Sequence, residues 1–410
     1  MTRRSPHRAA PTAPTALTTT SPVYAALAWI AALAVLVPFL TGCAGRMHAR
    51  SAPPATVRQP PATTVPALRG LVHDGAPGAA SLITRDGRFW ASRFSTSGVA
   101  DLRSGRPMDR FDHFRAGSLT KTLVATVVLQ LVAERKLSLD DPASAHLPPG
   151  TPHRAPGGHS DLRKVTIRQL LDHTSGLFNY TQDPRFARQM RGTGFGVHRY
   201  DTHTPVQLLR LALRHRPVAA PGARYSYANT NYLVLGLIIR GVTGHSYATE
   251  IRRRILLPAG LSGTSFPGHD PALPRPHGRA YSRIGGREVD STFLDPSLAG
   301  AAGEMVTTLD DLNRFFAALL SGKFLAPRQM AEMRDEQGTG GTYGLGLYAT
   351  RLPCGVTVWG HNGDINGSFA ETAGTADGRH LVSYRVNTDS LARPAHGTAL
   401  LEAEFCRADA

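Results

Sequence analysis

The chain has 410 residues, 41% of them apolar and 19% charged, which is enough apolar surface for a sizeable core and too much for a disordered chain. Its formal charge of +16 invites a nucleic-acid reading. The cations, however, are nearly all scattered arginines with no basic run interleaved with aromatics, so nucleic acid is not expected as a partner; arginine in place of lysine across the chain is better explained by coding bias, and the basic surface could still help hold the protein near anionic lipid or anionic wall polymer.

Arg3, Arg4 and Arg8 precede an apolar run from Val23 to Leu40 that closes on Leu40-Thr41-Gly42-Cys43, the layout of an export signal. As a helix the run would reach about 27 Å, slightly short of a bilayer core of about 30 Å, so an uncleaved membrane anchor also fits. Leu-Thr-Gly-Cys resembles the lipobox of bacterial lipoproteins, in which Cys43 would carry lipid and become the first residue. Residues 1–43 are read as this signal or anchor, with free secretion as the third option; each makes the protein extracytoplasmic. Residues 44–67, rich in Pro, Ala, Thr and Val, lack helical or alternating period and read as a stiff tether. Residues 68–410 are left as one large domain.

Within that domain, Gly78 to Phe94 alternates around Asp86-Gly87 and predicts a hairpin. Leu119 to Leu137 is apolar around most of the helix and predicts a buried one. Further helices are expected over 166–171, 205–213, 232–242 and 309–320. The period then changes, and 344–348, 356–359, 368–372 and 380–387 read as strands before a last helix over 394–406. Strands at both ends with helices between predict an α/β (α+β) fold: an antiparallel sheet assembled from the two termini, with flanking helices and an inserted, mainly helical lobe. If Cys43 is lipidated, Cys354 and Cys406 remain as an even pair and favour a disulfide.

Three stretches carry chemistry. Ser118-Leu119-Thr120-Lys121 opens the buried helix, so hydroxyl and amine lie one turn apart on one side. A serine hydroxyl needs a nearby base, and a lysine becomes one when burial lowers its pKa. Tyr227-Ala228-Asn229 precedes another apolar helix; the phenol can relay a proton to a leaving group and the amide can hold a substrate amide. Gly360-His361-Asn362-Gly363-Asp364 follows the strand at Trp359, where a histidine can offer a cation or donor and a glycine admits substrate close to the strand. Taken singly, these stretches equally read as a helix cap, a turn and a β-turn.

Together, in this order, they resemble the serine penicillin-recognising hydrolases, the group of class C β-lactamases, secreted D-alanyl-D-alanine carboxypeptidases and related esterases. Phe114 to Thr122 matches the nucleophile motif, Tyr227 to Tyr232 the Tyr-x-Asn motif, and His361-Asn362-Gly363 the third motif with His in place of Lys. Leu170 to Leu177, with His173, resembles a structural signature of the group, which leaves a triad of Asp172, His173 and Ser175 unsupported. The resemblance implies a β-lactamase/transpeptidase-like fold without cofactor. Catalysis would use Ser118 as nucleophile, Lys121 as proton acceptor, Tyr227 as relay and His361 as electrostatic support. The backbone N–H groups of Ser118 and Asp364 would hold the oxyanion, and Asn229, Asn362, Gly363 and Asp364 would bind substrate. The Cys354 and Cys406 pair and the ending around it most resemble the secreted carboxypeptidases.

The expected substrates are small peptides or esters, with β-lactams as further candidates, and the expected state is a monomer. A D-Ala-D-Ala carboxypeptidase leads. Asp364 opposes a terminal carboxylate unless Arg351 or another cation compensates, so an esterase or amidase is the rival, and a sensor acylated without turnover is a third reading. No metal site is expected: His198 and His203 have tolerable spacing, but no cysteine pair lies near them.

Overall fold

The computed structural model describes residues 64–154, 159–390 and 395–406, all within the compact unit Gln59–Ala410. The apolar run, Cys43 and most of the Pro-rich stretch lie outside the described residues. Where that stretch was read as tether up to residue 67, a helix already begins, Val65–His73, with proline in its first turn and Leu68 and Leu71 buried.

The strands in chain order are β1 Gly78–Thr84, β2 Arg93–Gly98, β3 Phe114–Arg115, β4 Tyr281–Ile284, β5 Arg287–Asp290, β6 Val306–Thr307, β7 Tyr348–Arg351, β8 Thr357–Ile365, β9 Ser368–Gly374 and β10 Leu381–Val386. Six of them form one sheet in the order β2-β1-β10-β9-β8-β7, every neighbouring pair antiparallel. The first hairpin thus joins the sheet through the last strand, as the distribution of strands implied. Its turn uses Asp86 and Gly87 at φ 55° and 65°, the positive values that the Asp-Gly pair supplies.

Alternation assigns the two faces. Ala79, Ile83, Val382, Tyr384 and Val386 pack with Leu68, Leu71, Leu400 and Leu401 of the terminal helices Val65–His73 and Ala395–Phe405. The opposite face, with Ala80, Leu82 and Leu381, belongs to the larger core around the helices Thr120–Ala133, Asn229–Thr243 and Leu309–Leu320. Thr120–Ala133 is buried almost throughout and stops where Arg135 takes φ 57°, short of the predicted Leu137. Helices Pro205–Leu213 and Ile167–Leu171 have capping boxes in which Thr204 and Thr166 accept from the backbone of Gln207 and Gln169.

Two expectations change in the last third. Gly344 to Leu347 is a turn, not a strand, because Gly344 N–H bonds back to the Leu347 carbonyl and Gly346 has φ 77°. The third motif does not follow its strand but lies inside it: β8 runs on to Ile365, and its partner β7 stops at the pair Tyr348↔Gly360. A disulfide joins Cys354 to Cys406 and ties the last helix to the β7–β8 connection.

Candidate active site

Ser118 sits in a 3₁₀ turn, Gly117–Leu119, that runs into the buried helix. Gly117 takes φ 53°, and an added Cβ there would lie 2.7 Å from the Asp364 nitrogen. A Cβ at Gly363 would come to 1.8 Å from the Ala116 carbonyl oxygen and 2.9 Å from the Ser118 nitrogen. Both glycines are therefore required by a backbone-to-backbone contact between β8 and the nucleophile turn. On the other side β3 and β6 pair, and Ala116 N–H donates to the Met305 carbonyl while Met305 N–H donates to Thr120 Oγ1. This pins the segment 302–307 along the same turn.

Lys121 is fully buried, and its Nζ lies 2.8 Å from Ser118 Oγ, 2.8 Å from Asn229 Oδ1 and 2.7 Å from the Ala302 carbonyl oxygen. No carboxylate is among these partners. Burial pushes the amine well below the usual lysine range. The three acceptors would satisfy the three N–H groups of an ammonium; in the uncharged form two N–H groups go to Asn229 and Ala302 and the lone pair faces the serine hydroxyl. Tyr227 Oη donates to Ser118 Oγ at 2.9 Å, and burial drives its phenol upward, against the pull of that bond. Burial thus pushes the two groups in opposite senses, the phenol toward keeping its proton and the amine toward losing its own, an opposed pair of the kind that separates acid from base.

The Tyr-x-Asn loop is fixed by what precedes its helix. Asn229 N–H is capped by Asn179 Oδ1 at 3.2 Å, and Tyr180 N–H by Thr230 Oγ1 at 3.1 Å. His173, at φ 64° and fully buried, packs tilted against the Tyr227 ring with centroids 4.1 Å apart; its Nδ1 accepts from Ala228 N–H at 3.3 Å. Burial and then the neighbouring Lys121 keep its imidazole far below the usual range. Asp172 accepts from Thr174, and Ser175 donates to Asn231 Oδ1; Asp172, His173 and Ser175 form no triad and instead brace the Tyr227 loop.

His361, in β8, is equally buried. Its Nδ1 faces the Asn362 carbonyl and must carry the proton, so Nε2 accepts from Tyr343 Oη at 2.7 Å. Burial, then the nearby Lys121, pulls the ring down to about 3. A cationic His361 lending electrostatic support is therefore corrected to a neutral ring whose polar atoms are both occupied. Its Tyr343 partner also packs on His173 and Tyr227.

A cavity of about 60 Å³ opens beside Ser118, with Phe186, Met190, Leu298 and Ile365 in its wall and Arg191 and Asp364 also lining it. Arg191 Nη1 donates to Asp364 Oδ2 at 3.1 Å and Nη2 to Oδ1 at 3.4 Å. The compensating cation is thus Arg191. Arg351, the expected candidate, is held by Glu336 at 2.8 Å.

Ser118, Lys121, Tyr227, Asn229, Gly363 and Asp364 come together; Asn362 faces outward on the strand, and Cys43 lies outside the described residues. Sequence reasoning missed Ala302, Asn179, Arg191 and Tyr343. Ala302 acts through a carbonyl that no side-chain pattern marks, and Arg191 is one arginine among many. Among the described residues no group of three metal-donor side chains occurs, and His198 bonds Asp201. No helix of the described residues is long and apolar enough to cross a membrane.

A family model described as Beta-lactamase matches residues 56–405. Esterase EstB of Burkholderia gladioli is 31% identical over 64% of this chain and 71% of its own length. PbpX of Bacillus subtilis (strain 168), named as a candidate penicillin-binding protein, is 29% identical over 65% of this chain; the chain spans only 61% of PbpX. Among solved structures, a D-stereospecific amidohydrolase from Streptomyces sp. superposes with a TM-score of 0.75 at 40% identity, covering 85% of this chain and 99% of that one.

Proposed function

The chain belongs to the beta-lactamase family, and from that premise we propose that this serine hydrolase cleaves small amides and esters of D-configured amino acids through an acyl group carried on Ser118. The observation that carries the proposal is the placement of Ser118 Oγ within hydrogen-bonding distance of both a buried, uncompensated lysine amine and a protonated phenol. Lys121 takes the hydroxyl proton as Oγ attacks the carbonyl. The backbone N–H groups of Ser118 and Asp364, at the contact enforced by Gly117 and Gly363, receive the oxyanion. Tyr227, already donating to Oγ, passes a proton to the departing amine or alcohol and is recharged through Lys121. Water then releases the acyl group by the reverse route.

The D-amide preference draws support from the likeness to the D-stereospecific amidohydrolase and from Asp364, which disfavours a substrate carboxylate in the cavity while engaging Arg191 there. Those features weigh against a D-Ala-D-Ala carboxypeptidase. The test compares D- and L-amino acid amides, the corresponding methyl esters and a peptide ending in D-Ala-D-Ala, with fluorescent penicillin as a label, in wild type and Ser118→Ala. Amide and ester turnover with D over L preference, lost with the label in Ser118→Ala, is expected. Turnover that survives in Ser118→Ala would refute the nucleophile, and D-alanine release from the peptide as the dominant activity would return the assignment to carboxypeptidase. Lipid attachment at Cys43 is part of the same proposal and is read by palmitate labelling of wild type against Cys43→Ser.

A further inference from the structure

We propose that Asp364 is an ammonium anchor, so that the protein selects substrates with a free, charged amino group on the carbon next to the scissile carbonyl and discriminates against their N-acylated forms. The inference rests on the acyl-serine reading above and specifies its substrate class.

A carbonyl held at Ser118 Oγ must project its α-substituents into the space beside the nucleophile, and the cavity there is lined by Ser118 itself. Phe186, Met190, Leu298 and Ile365 offer an apolar wall for a side chain, and the charged side chains lining it are Arg191 and Asp364. Asp364 follows Gly363, whose lack of a Cβ presses β8 against the Ser118 turn, so this carboxylate is held at the site by the backbone contact that builds it.

The pair is not symmetric in what it has left to give. Arg191 directs Nη1 to Asp364 Oδ2 and Nη2 to both Oδ1 and the Asp364 carbonyl, the last at 3.5 Å. That commits one edge of the guanidinium to this residue. An ionised carboxylate has about four acceptor positions, and the arginine takes one on each oxygen. Both side chains are half exposed, 48% and 46%, so the remaining acceptor positions are open to a ligand. An ammonium completes them with charge-assisted hydrogen bonds, whereas a carboxylate would have to sit beside the Asp364 charge. Burial pushes the Asp364 carboxyl up and Arg191 pulls against it, so the arginine favours the ionised form and aims it.

The test measures kcat/KM for a D-amino acid amide with a free amine and for its N-acetyl derivative, in wild type, Asp364→Asn and Arg191→Gln. Wild type is expected to favour the free amine tenfold or more. Asp364→Asn should lower that ratio by about ten- to a hundredfold, the range for losing a hydrogen bond to a charged group, while Arg191→Gln, which loosens the aim of the carboxylate but leaves its charge, should lower it by less. A wild-type ratio near one, a ratio unmoved by Asp364→Asn, or a ratio lost only in Arg191→Gln overturns the anchor; hydrolysis of the N-acetyl amide in the same assay shows that the acyl-serine reading survives that result. If neither amide is hydrolysed and neither acylates Ser118, the functional reading fails and the anchor with it. Should Asp364→Asn not fold, the wild-type ratio alone decides.

Discussion

Replacing Asn229 with aspartate changes one atom group and tests whether the uncharged state of Lys121 drives the chemistry. Asn229 Oδ1 lies 2.8 Å from Nζ and its Nδ2 lies 3.3 Å from Thr181 Oγ1, whose proton would turn from Asn179 Oδ1 to a carboxylate placed there. The shape of the site is thus kept while a negative charge appears about 4 Å from the ammonium. At an effective dielectric constant of about 20, that attraction is worth about 4 kcal/mol in favour of protonated lysine. The cost of burying the new carboxylate takes back part of it. The remainder corresponds to a ten- to thousandfold change in the proton concentration at which half the lysine is free. The assay is the pH dependence of the acylation burst with an activated ester. Its acid limb should move to higher pH by that factor, and the plateau at high pH should approach that of wild type. A uniform fall in rate at every pH, with the limb in place, would mean that Asn229 acts only by holding substrate, and would refute lysine deprotonation as the controlling step.

Tyr227→Phe removes the donor at 2.9 Å from Ser118 Oγ and should lower kcat for amides by about a hundredfold or more; esters, whose leaving groups need a proton less, should lose far less, as steady-state kinetics would show. Glu304 is buried against the Tyr247 hydroxyl, and burial raises its carboxyl from 4.5 to about 7. Since the folded state then binds the proton more tightly than the unfolded one, the associated stability of about 3 kcal/mol is present below pH 4.5 and lost as pH rises to about 7; urea titrations should show this slope in wild type and a flatter one in Glu304→Gln. Removing the Cys354 to Cys406 bridge, which closes a separation of 52 residues, with a double serine variant should cost about 4 kcal/mol in the same titrations. Penicillin labelling of Ser118 below the unfolding transition should persist.

The parts of the fold that follow a period were legible: the hairpin around Asp86-Gly87, the buried helix after Ser118 and the helix Leu309–Leu320 could be read from alternation and helical spacing. The continuation of β8 through His361 to Ile365 could not, because Gly360 and Gly363 look like turn residues until the Ala116 and Thr372 carbonyls are seen lying where their side chains would be. The site divides in the same way. Ser118, Lys121 and Tyr227 announce themselves as residue types at telling positions. The neutral state of His361 depends on Tyr343 and on full burial, and the counterion of Asp364 depends on a fold that carries Arg191 across 173 positions of chain. Local sequence has no means of expressing either.

The sheet that braces the nucleophile has a further consequence, which concerns synthesis. β1 has only β2 beside it until β10 exists, and the bond from Gly78 N–H to Asn387 Oδ1 spans 309 residues. A ribosome emits the serine long before the strand that presses on it, so the growing chain can hold helices but no finished pocket. Nascent fragments ending before Ile365 should therefore stay chemically inert, and the protein gains its reactivity only once β8 to β10 have been made.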